Sequence, residues 1–142
     1  MTALEPPPSV HDDELLARFI LFSGWFRKDQ TVRPDGFIPY PYPDLSVTRH
    51  IGLAESQLWQ VGQDTADTRP KATLYGRADL KTADVRRQKL QVIAASLHQN
   101  LNHANVTGWP PDKPSQKIIA QACTTGMSRM ETESTIRLAI PG

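Results

Sequence analysis

Clusters of proline divide this chain more sharply than any other feature of its sequence. Most of the prolines lie in three short segments, residues 6–8, 39–43 and 110–114. Proline fixes φ and removes a backbone N–H donor, so none of these segments is predicted to form a helix interior or a central strand. Residues 1–8 are predicted to be a flexible, proline-rich N-terminus, and regular structure is expected between the clusters.

Hydrophobic periodicity predicts helices and strands in the remaining segments. The run that begins at Leu15 repeats apolar side chains at helical spacing and follows several acidic residues, which is typical of a helix over residues 12–22. The alternation from Leu45 to His50 is typical of a half-buried strand. The other predicted elements are helices over 54–65 and 115–126, a short helix or turn over 80–88, strands over 73–78, 90–94 and 104–107, and an edge strand or mobile segment over 136–140.

This order of elements predicts an α+β fold. We expect a single compact domain over residues 9–126, with a small mixed or antiparallel sheet covered by about three helices. Residues 127–142 are predicted to be a loosely attached C-terminal tail. The apolar stripes define a predicted core whose members are Leu15, Phe19, Ile20, Leu58, Trp59, Val92, Ile118 and Ile119.

Charge and cysteine content narrow the choice of partner and location. Sixteen Lys and Arg residues against 15 Asp and Glu residues give a formal net charge of +1. This balance gives no whole-chain argument for a nucleic acid or a membrane surface as partner. The single cysteine is typical of a reducing compartment. No apolar run reaches the ~20 residues of a membrane span, and acidic residues before Leu15 are unlike a secretory signal. The sequence therefore predicts a cytoplasmic protein without membrane contact.

Strong motifs for metals, cofactors and covalent catalysis are absent from the sequence. The glycines form no phosphate-binding loop, and no nucleophile elbow, cysteine pair or His-Glu-x-x-His motif occurs. A metal site at His98 and His103 would need carboxylates from elsewhere in the chain. Cys123 lies on the apolar face of the last predicted helix and is interpreted as inert core packing. We expect neither a metal nor a cofactor.

Two histidines lie at the ends of predicted strands, where catalytic side chains are often found. His50 follows Arg49 at the end of one strand, and His103 opens another. Two imidazoles and an arginine can act as acid, base and phosphate clamp in metal-independent phosphodiester cleavage. The candidate catalytic residues are therefore His50, His103, Arg49 and Arg77. The alternative is that each histidine hydrogen-bonds loop backbone.

The neutral net charge conceals one basic segment. Between Arg69 and Lys89 the only acids are Asp79 and Asp84. If the cations share a face, they attract phosphates, and binding weakens steeply with salt. The candidate nucleic-acid-binding residues are Arg69, Lys71, Arg77, Arg86 and Arg87. The alternative is a solvated surface whose arginines pair with nearby acids.

Aromatic residues accompany two of the proline clusters. Tyr40 and Tyr42 alternate with prolines, and Trp109 precedes two more. Polyproline segments lose little entropy on binding, and Tyr and Trp are good interface anchors. These three residues are therefore candidate partner-binding residues. The alternative is that both segments wrap the core of the domain itself.

The absence of strong catalytic motifs favours binding over catalysis. We expect a cytoplasmic binding module that acts through a protein partner or through self-association. The alternative function is nucleic-acid binding through residues 69–89, or metal-independent nuclease activity that uses His50 and His103.

Overall fold

The structure, a computed structural model, describes residues 5–25, 33–124 and, for the backbone alone, 136–138. Within these residues the chain forms one six-stranded antiparallel sheet and three α-helices. The strands are β1 (Leu15–Ile20), β2 (Leu45–Arg49), β3 (Gly76–Lys81), β4 (Gln91–Ala94), β5 (His103–Thr107) and β6 (Ile136–Leu138). The helices are α1 (Glu55–Asp67), α2 (Thr82–Arg87) and α3 (Lys113–Thr124). The strand order is β4-β5-β2-β1-β3-β6, which confirms the predicted α+β fold with an antiparallel sheet.

The first apolar run forms a central strand, so the helix predicted over residues 12–22 is wrong. β1 lies between β2 and β3 and is antiparallel to both. Leu16, Ala17, Phe19 and Ile20 are all buried, because both faces of this strand are covered. A strand that is buried on both faces has a continuous apolar run, whose spacing also fits a helix. Pairing with distant strands, which the run itself does not encode, decides its structure.

Helix α1 covers one face of the sheet, and α2 and α3 cover the other. On the α1 face, Leu58 packs in the same cluster as Phe19. On the α2–α3 face, Val85 and Ala120 pack in one cluster with Leu16. Since side chains alternate between the faces of a strand, β1 contributes to both clusters and joins them.

Gly62 lets α1 approach β1 closely. A Cβ at this position would lie 2.7 Å from two carbons of the Phe19 ring and 3.2 Å from the side chain of Leu74. Glycine within a helix costs up to about 1 kcal/mol relative to alanine, which counts against a helix in sequence-based prediction. Here the close packing of the Phe19 ring offsets that cost.

Most of the other predicted elements are confirmed. The strands predicted over 45–50, 90–94 and 104–107 are β2, β4 and β5, and the predicted helices over 54–65 and 115–126 are α1 and α3. The short helix predicted within 80–88 is α2, and the strand predicted over 73–78 begins later, at Gly76.

Two members of the predicted core are exposed. Leu15 is 44% exposed and Ile118 is 70% exposed. The buried stripe of α3 consists of Gln116, Ala120 and Cys123. These residues follow i, i+4, i+7 spacing, which turns Ile118 away from the sheet. The prediction is therefore wrong for these two residues, whereas Phe19, Ile20, Leu58 and Val92 are buried as predicted.

Both ends of the described chain contact the sheet. The carbonyl of Pro7 accepts a hydrogen bond of 2.7 Å from Nη1 of Arg49, so the proline-rich N-terminal segment contacts the domain at this residue. β6 pairs with β3, so residues 136–138 adopt the first of the two predicted alternatives, an edge strand. The rest of the predicted tail, residues 127–135 and 139–142, lies outside the described residues, as do residues 1–4.

Candidate functional site

β1 and β2 separate partway along their length, and an arginine side chain lies between them. The two strands pair at Leu16 and Ala17 of β1. At the next residue, Arg18 donates from Nε to the carbonyl of Gly36 at 2.8 Å and from Nη1 to the carbonyl of Ser46 at 3.1 Å. At Ser46, the Arg18 side chain therefore donates a hydrogen bond where a backbone N–H of β1 would do so in a continuous strand pair. A cleft opens beside this contact.

This cleft, which we call the arginine cleft, has a volume of about 410 Å³. Its charged and aromatic lining residues are Arg18, Arg69, Lys113, Asp35, Asp44, Trp25, Tyr40 and Tyr42. A smaller cavity of about 50 Å³ shares Arg18, Ser46 and Arg69 with the cleft and reaches His103. The volume of the arginine cleft lies within the range of small-molecule sites, roughly 300–1,000 Å³.

Two guanidinium groups line the arginine cleft without a carboxylate partner. Among the described residues, no Asp or Glu oxygen lies within 4.0 Å of Arg18 or Arg69. Arg18 instead stacks on Trp25, with Cζ 5.0 Å from the ring centroid. Burial, and then repulsion from Arg69, lower the pKa of Arg18 to about 10. Arg18 is therefore still cationic at neutral pH, and the two cations favour an anion in the cleft.

The two carboxylates of the arginine cleft differ in their partners. Asp35 lies 3.8 Å from Lys113 and 3.4 Å from Lys117, both in α3. Asp44 has no cationic partner within 4.0 Å in the described part of the chain. The protein neutralises Asp35 itself, whereas Asp44 is available to accept hydrogen bonds from a ligand.

The predicted partner-binding tyrosines form an exposed part of the cleft lining. Tyr40 is 50% exposed and Tyr42 is 72% exposed. Gln116 fixes this segment, because its Oε1 accepts from the N–H of Tyr40 at 3.1 Å and its Nε2 donates to the carbonyl of Pro110 at 2.8 Å. The two proline–aromatic segments therefore lie side by side. Trp109 is half-buried and donates to a carbonyl of β5 at 2.9 Å.

Three of the four candidate catalytic residues belong to two networks on the α1 face. His50 and Arg77 meet at Asp79, where His50 Nε2 lies 2.9 Å and Arg77 Nε 3.1 Å from the same oxygen, Oδ1. His103 instead contacts a backbone carbonyl after β4 through Nδ1 at 2.9 Å, and the hydroxyl of Ser46 through Nε2 at 3.0 Å. The structure brings His50 and Arg77 together and gives His103 different partners.

Arg77 also anchors the start of α1. Its Cζ lies 4.7 Å from the centroid of the Trp59 ring, and its Nη1 lies 2.8 Å from Oε1 of Glu55. This contact is an ion pair outside hydrogen-bond geometry, so the buried Nη1 has no hydrogen-bond acceptor among the described residues. The cluster joins β3 to α1 through charge and ring stacking.

Arg49, the fourth candidate, lies directly opposite Leu16 in the β1–β2 pair. Opposed residues of neighbouring strands share a face, so Arg49 lies on the α2–α3 face. Its Nε and Nη2 donate to the two carboxylate oxygens of Glu14 at 2.7 and 2.9 Å. Burial opposes ionisation of Glu14, but hydrogen bonds from Arg49 and from the backbone of His11 outweigh it and lower the pKa of Glu14. Arg49 is fully buried and is thus separated from His50 by the sheet.

One of the five predicted nucleic-acid-binding residues lines the arginine cleft. That residue is Arg69, while Lys71 is exposed and Arg77 is buried. Arg86 and Arg87 form ion pairs with aspartates at 2.6 and 2.9 Å. Three of the five candidates, Arg77, Arg86 and Arg87, are therefore paired with acids within the protein.

The described residues hold no metal-ligand cluster and one unreactive thiol. No group of three or more His, Cys, Asp and Glu side chains among them is arranged to hold a metal ion. Burial, with a contribution from the charge of Asp84, raises the pKa of Cys123 to about 11, so its thiol is protonated at neutral pH. None of the helices in this part of the chain has the length and apolarity to cross a bilayer.

Sequence reasoning missed two residues at the centre of the cleft, Arg18 and Trp25. The signal for Arg18 is a cation inside the longest apolar run, because a charge among buried residues requires a polar partner.

Comparisons with protein-family models, with curated proteins and with solved structures find no match.

Proposed function

We propose that the protein is a binding module that captures an anionic ligand in the arginine cleft. One observation carries this proposal: Arg18 and Arg69 line the cleft with no carboxylate within 4.0 Å in the described part of the chain. The two arginines that are buried, Arg49 and Arg77, each contact a carboxylate, whereas Arg18 is half-buried and Arg69 is exposed. A half-buried cation without a counterion, such as Arg18, is stabilised by an anion that enters beside it.

The partners of the two histidines support binding over phosphodiester cleavage. Acid–base catalysis at one phosphate needs both imidazoles and an arginine around a common position. His50 is engaged by Asp79, and His103 is engaged by Ser46. The buried thiol of Cys123 supports a location in a reducing compartment, which we propose to be the cytoplasm.

The exposed tyrosines favour a second candidate function, contact with a protein partner or a second copy of the chain. Tyr40 and Tyr42 lie on a proline-rich segment that Gln116 holds against the domain. A rigid segment loses little entropy on binding, and tyrosine is enriched at interface hot spots. Sedimentation velocity of wild type and of Tyr42→Ser, over a range of concentrations, tests self-association: a mass that rises in wild type alone supports it, and a constant monomer mass contradicts it.

Calorimetric titration with inorganic pyrophosphate at low salt tests the proposed function. We expect binding that weakens as salt rises. Arg69→Gln should reduce the affinity roughly tenfold or more, because a charged hydrogen bond is lost. Arg87→Gln is the matched control, since it removes an exposed arginine of the same basic segment outside the cleft. No binding to wild type, or an equal loss in both variants, contradicts the proposal.

A further inference from the structure

The geometry points to a nucleoside phosphate as the ligand of the arginine cleft, with its phosphate at Arg18 and Arg69 and its base against Tyr40 and Tyr42. This inference rests on the proposed function and names the chemical class of the anion. Three features of the cleft lining carry it: unused guanidinium donors, exposed rings on a fixed segment, and one free carboxylate.

The first feature is a pre-organised phosphate position. The carbonyls of Gly36 and Ser46 hold Nε and Nη1 of Arg18, and Trp25 stacks on its guanidinium plane. Nη2 of Arg18 and the whole guanidinium of Arg69 donate to none of the described residues. Planar guanidinium donors match phosphate oxygens, and a fixed arginine loses little freedom when it binds one.

The second feature is a stacking surface for a base. The ring of Trp25 is already occupied, by Arg18 on its face and by Phe22 in an edge contact at 5.0 Å between centroids. Tyr40 and Tyr42 are therefore the rings left for a ligand, and both are at least half exposed. Bases stack on aromatic side chains irrespective of their identity, so these rings suit any nucleobase.

The third feature is the carboxylate of Asp44. A carboxylate in the same cleft lowers the affinity for a ligand that is anionic throughout, such as inorganic phosphate or an acidic peptide, relative to a ligand that is anionic at one end only. It favours a ligand that carries hydroxyl donors between its anionic end and its ring. The ribose of a nucleotide has this property, and carboxylates bind ribose hydroxyls in dinucleotide-binding proteins. Asp35 does not compete for this role, because Lys113 and Lys117 hold it.

Such a nucleoside phosphate has two sources, a free nucleotide or one unit of a single strand. The cleft volume of about 410 Å³ suits a ligand of small-molecule size. A titration series with AMP, adenosine, inorganic phosphate and a short single-stranded oligonucleotide separates the two sources. Affinity for AMP at least as high as for the oligonucleotide supports a free nucleotide, and higher affinity for the oligonucleotide supports a strand.

We expect AMP to bind roughly tenfold or more tightly than either adenosine or inorganic phosphate, because it alone uses the arginines and the tyrosines together. Tyr42→Ala should weaken AMP about tenfold and leave inorganic phosphate unchanged. Asp44→Asn should reduce the preference for AMP over its 2′,3′-dideoxy analogue. Arg69→Gln should weaken both anions, while Arg87→Gln should weaken neither. Tyr42 is 72% exposed, so an unchanged urea midpoint will confirm that this variant is folded.

The outcomes separate this inference from the proposed function. If inorganic phosphate binds as tightly as AMP, and Tyr42→Ala changes nothing, the nucleoside assignment is overturned while anion binding stands. If neither AMP, the oligonucleotide, inorganic phosphate nor pyrophosphate binds wild type at low salt, both are overturned.

Discussion

Two arginines on neighbouring central strands, Arg49 in β2 and Arg18 in β1, differ in what surrounds their charge. Arg49 donates to both oxygens of Glu14 and to the carbonyl of Pro7, at 2.7 to 2.9 Å. Arg18 donates to two carbonyls and stacks on a ring, and the charge of Arg69 repels it. The charge of Arg49 is neutralised within the fold, whereas Arg18 has no carboxylate partner among the described residues.

The difference teaches that a buried arginine with a carboxylate partner belongs to the stability of the fold, whereas a half-buried arginine without one is a candidate for binding. A carboxylate that hydrogen-bonds a buried guanidinium offsets the cost of removing both ions from water. Carbonyl dipoles and an aromatic ring offset only part of that cost for Arg18. Such uncompensated charge is found where a protein binds an oppositely charged group.

The largest expected effect is the loss of stability when the buried ion pair of Arg49 and Glu14 is broken. Arg49→Met leaves the Glu14 carboxylate buried without its partner, so we expect the free energy of unfolding to fall by about 3–5 kcal/mol. The matched control is Arg49→Met with Glu14→Gln, which removes both charges and should cost less. Urea unfolding measures both. A loss below about 1 kcal/mol in the single variant would show that the pair is not structural.

Acid should weaken the same pair. The pKa of Glu14 lies below its ordinary value of 4.5 in the folded protein. Its ionised form therefore stabilises the fold at neutral pH, and this contribution disappears as the pH falls from about 4.5 through the folded pKa. Urea unfolding at neutral pH and at pH values below this threshold should show a smaller acid-induced loss in Arg49→Met with Glu14→Gln than in wild type. Equal losses would place the acid sensitivity in other carboxylates.

Arg18 should respond in the opposite way, with little effect on stability and a large effect on binding. Arg18→Met removes one hydrogen bond to the exposed Ser46 and one part-buried hydrogen bond to Gly36, so we expect a cost of about 1–2 kcal/mol. Pyrophosphate binding should be lost. If this variant is destabilised as much as Arg49→Met, the two arginines have the same structural role and the comparison fails.

Sequence patterns predicted those elements of the fold that depend on local spacing. The helix at α1 and the strand at β2 follow from alternation and periodicity within each segment. β1 does not, because its structure depends on pairing with β2 and β3, which are distant in the sequence. The strand pairing buries both faces of a run whose residues, such as Phe19 and Ile20, also fit a helical stripe.

The site was predicted in fragments. The sequence predicts partner binding for Tyr42, nucleic-acid binding for Arg69 and catalysis for His103, each from its own sequence neighbourhood. The structure places the first two in the lining of the arginine cleft and the third in the adjoining small cavity. These three residues come together because β1 and β2 separate at this point. No local sequence pattern encodes where two distant strands separate.

The smallest expected effects concern the two arginines of α2. Arg87 pairs with Asp84 at 2.9 Å and is 69% exposed, and Arg86 pairs with Asp12 at 2.6 Å. Exposed ion pairs contribute about 0–1 kcal/mol, so Arg87→Gln should cost less than about 0.5 kcal/mol. Arg86→Gln should cost slightly more, because Arg86 also donates to a carbonyl of the edge strand β4 at 3.5 Å.

Neither substitution in α2 should change the affinity for AMP or pyrophosphate, because carboxylates already engage both guanidinium groups. Calorimetry of the two variants beside Arg69→Gln tests this expectation under one set of salt conditions. A loss of affinity in Arg87→Gln that matches the loss in Arg69→Gln would move the anion site from the cleft to the basic segment. It would also show that a carboxylate partner does not prevent an arginine from binding ligand, and the distinction between Arg49 and Arg18 would then rest on burial alone.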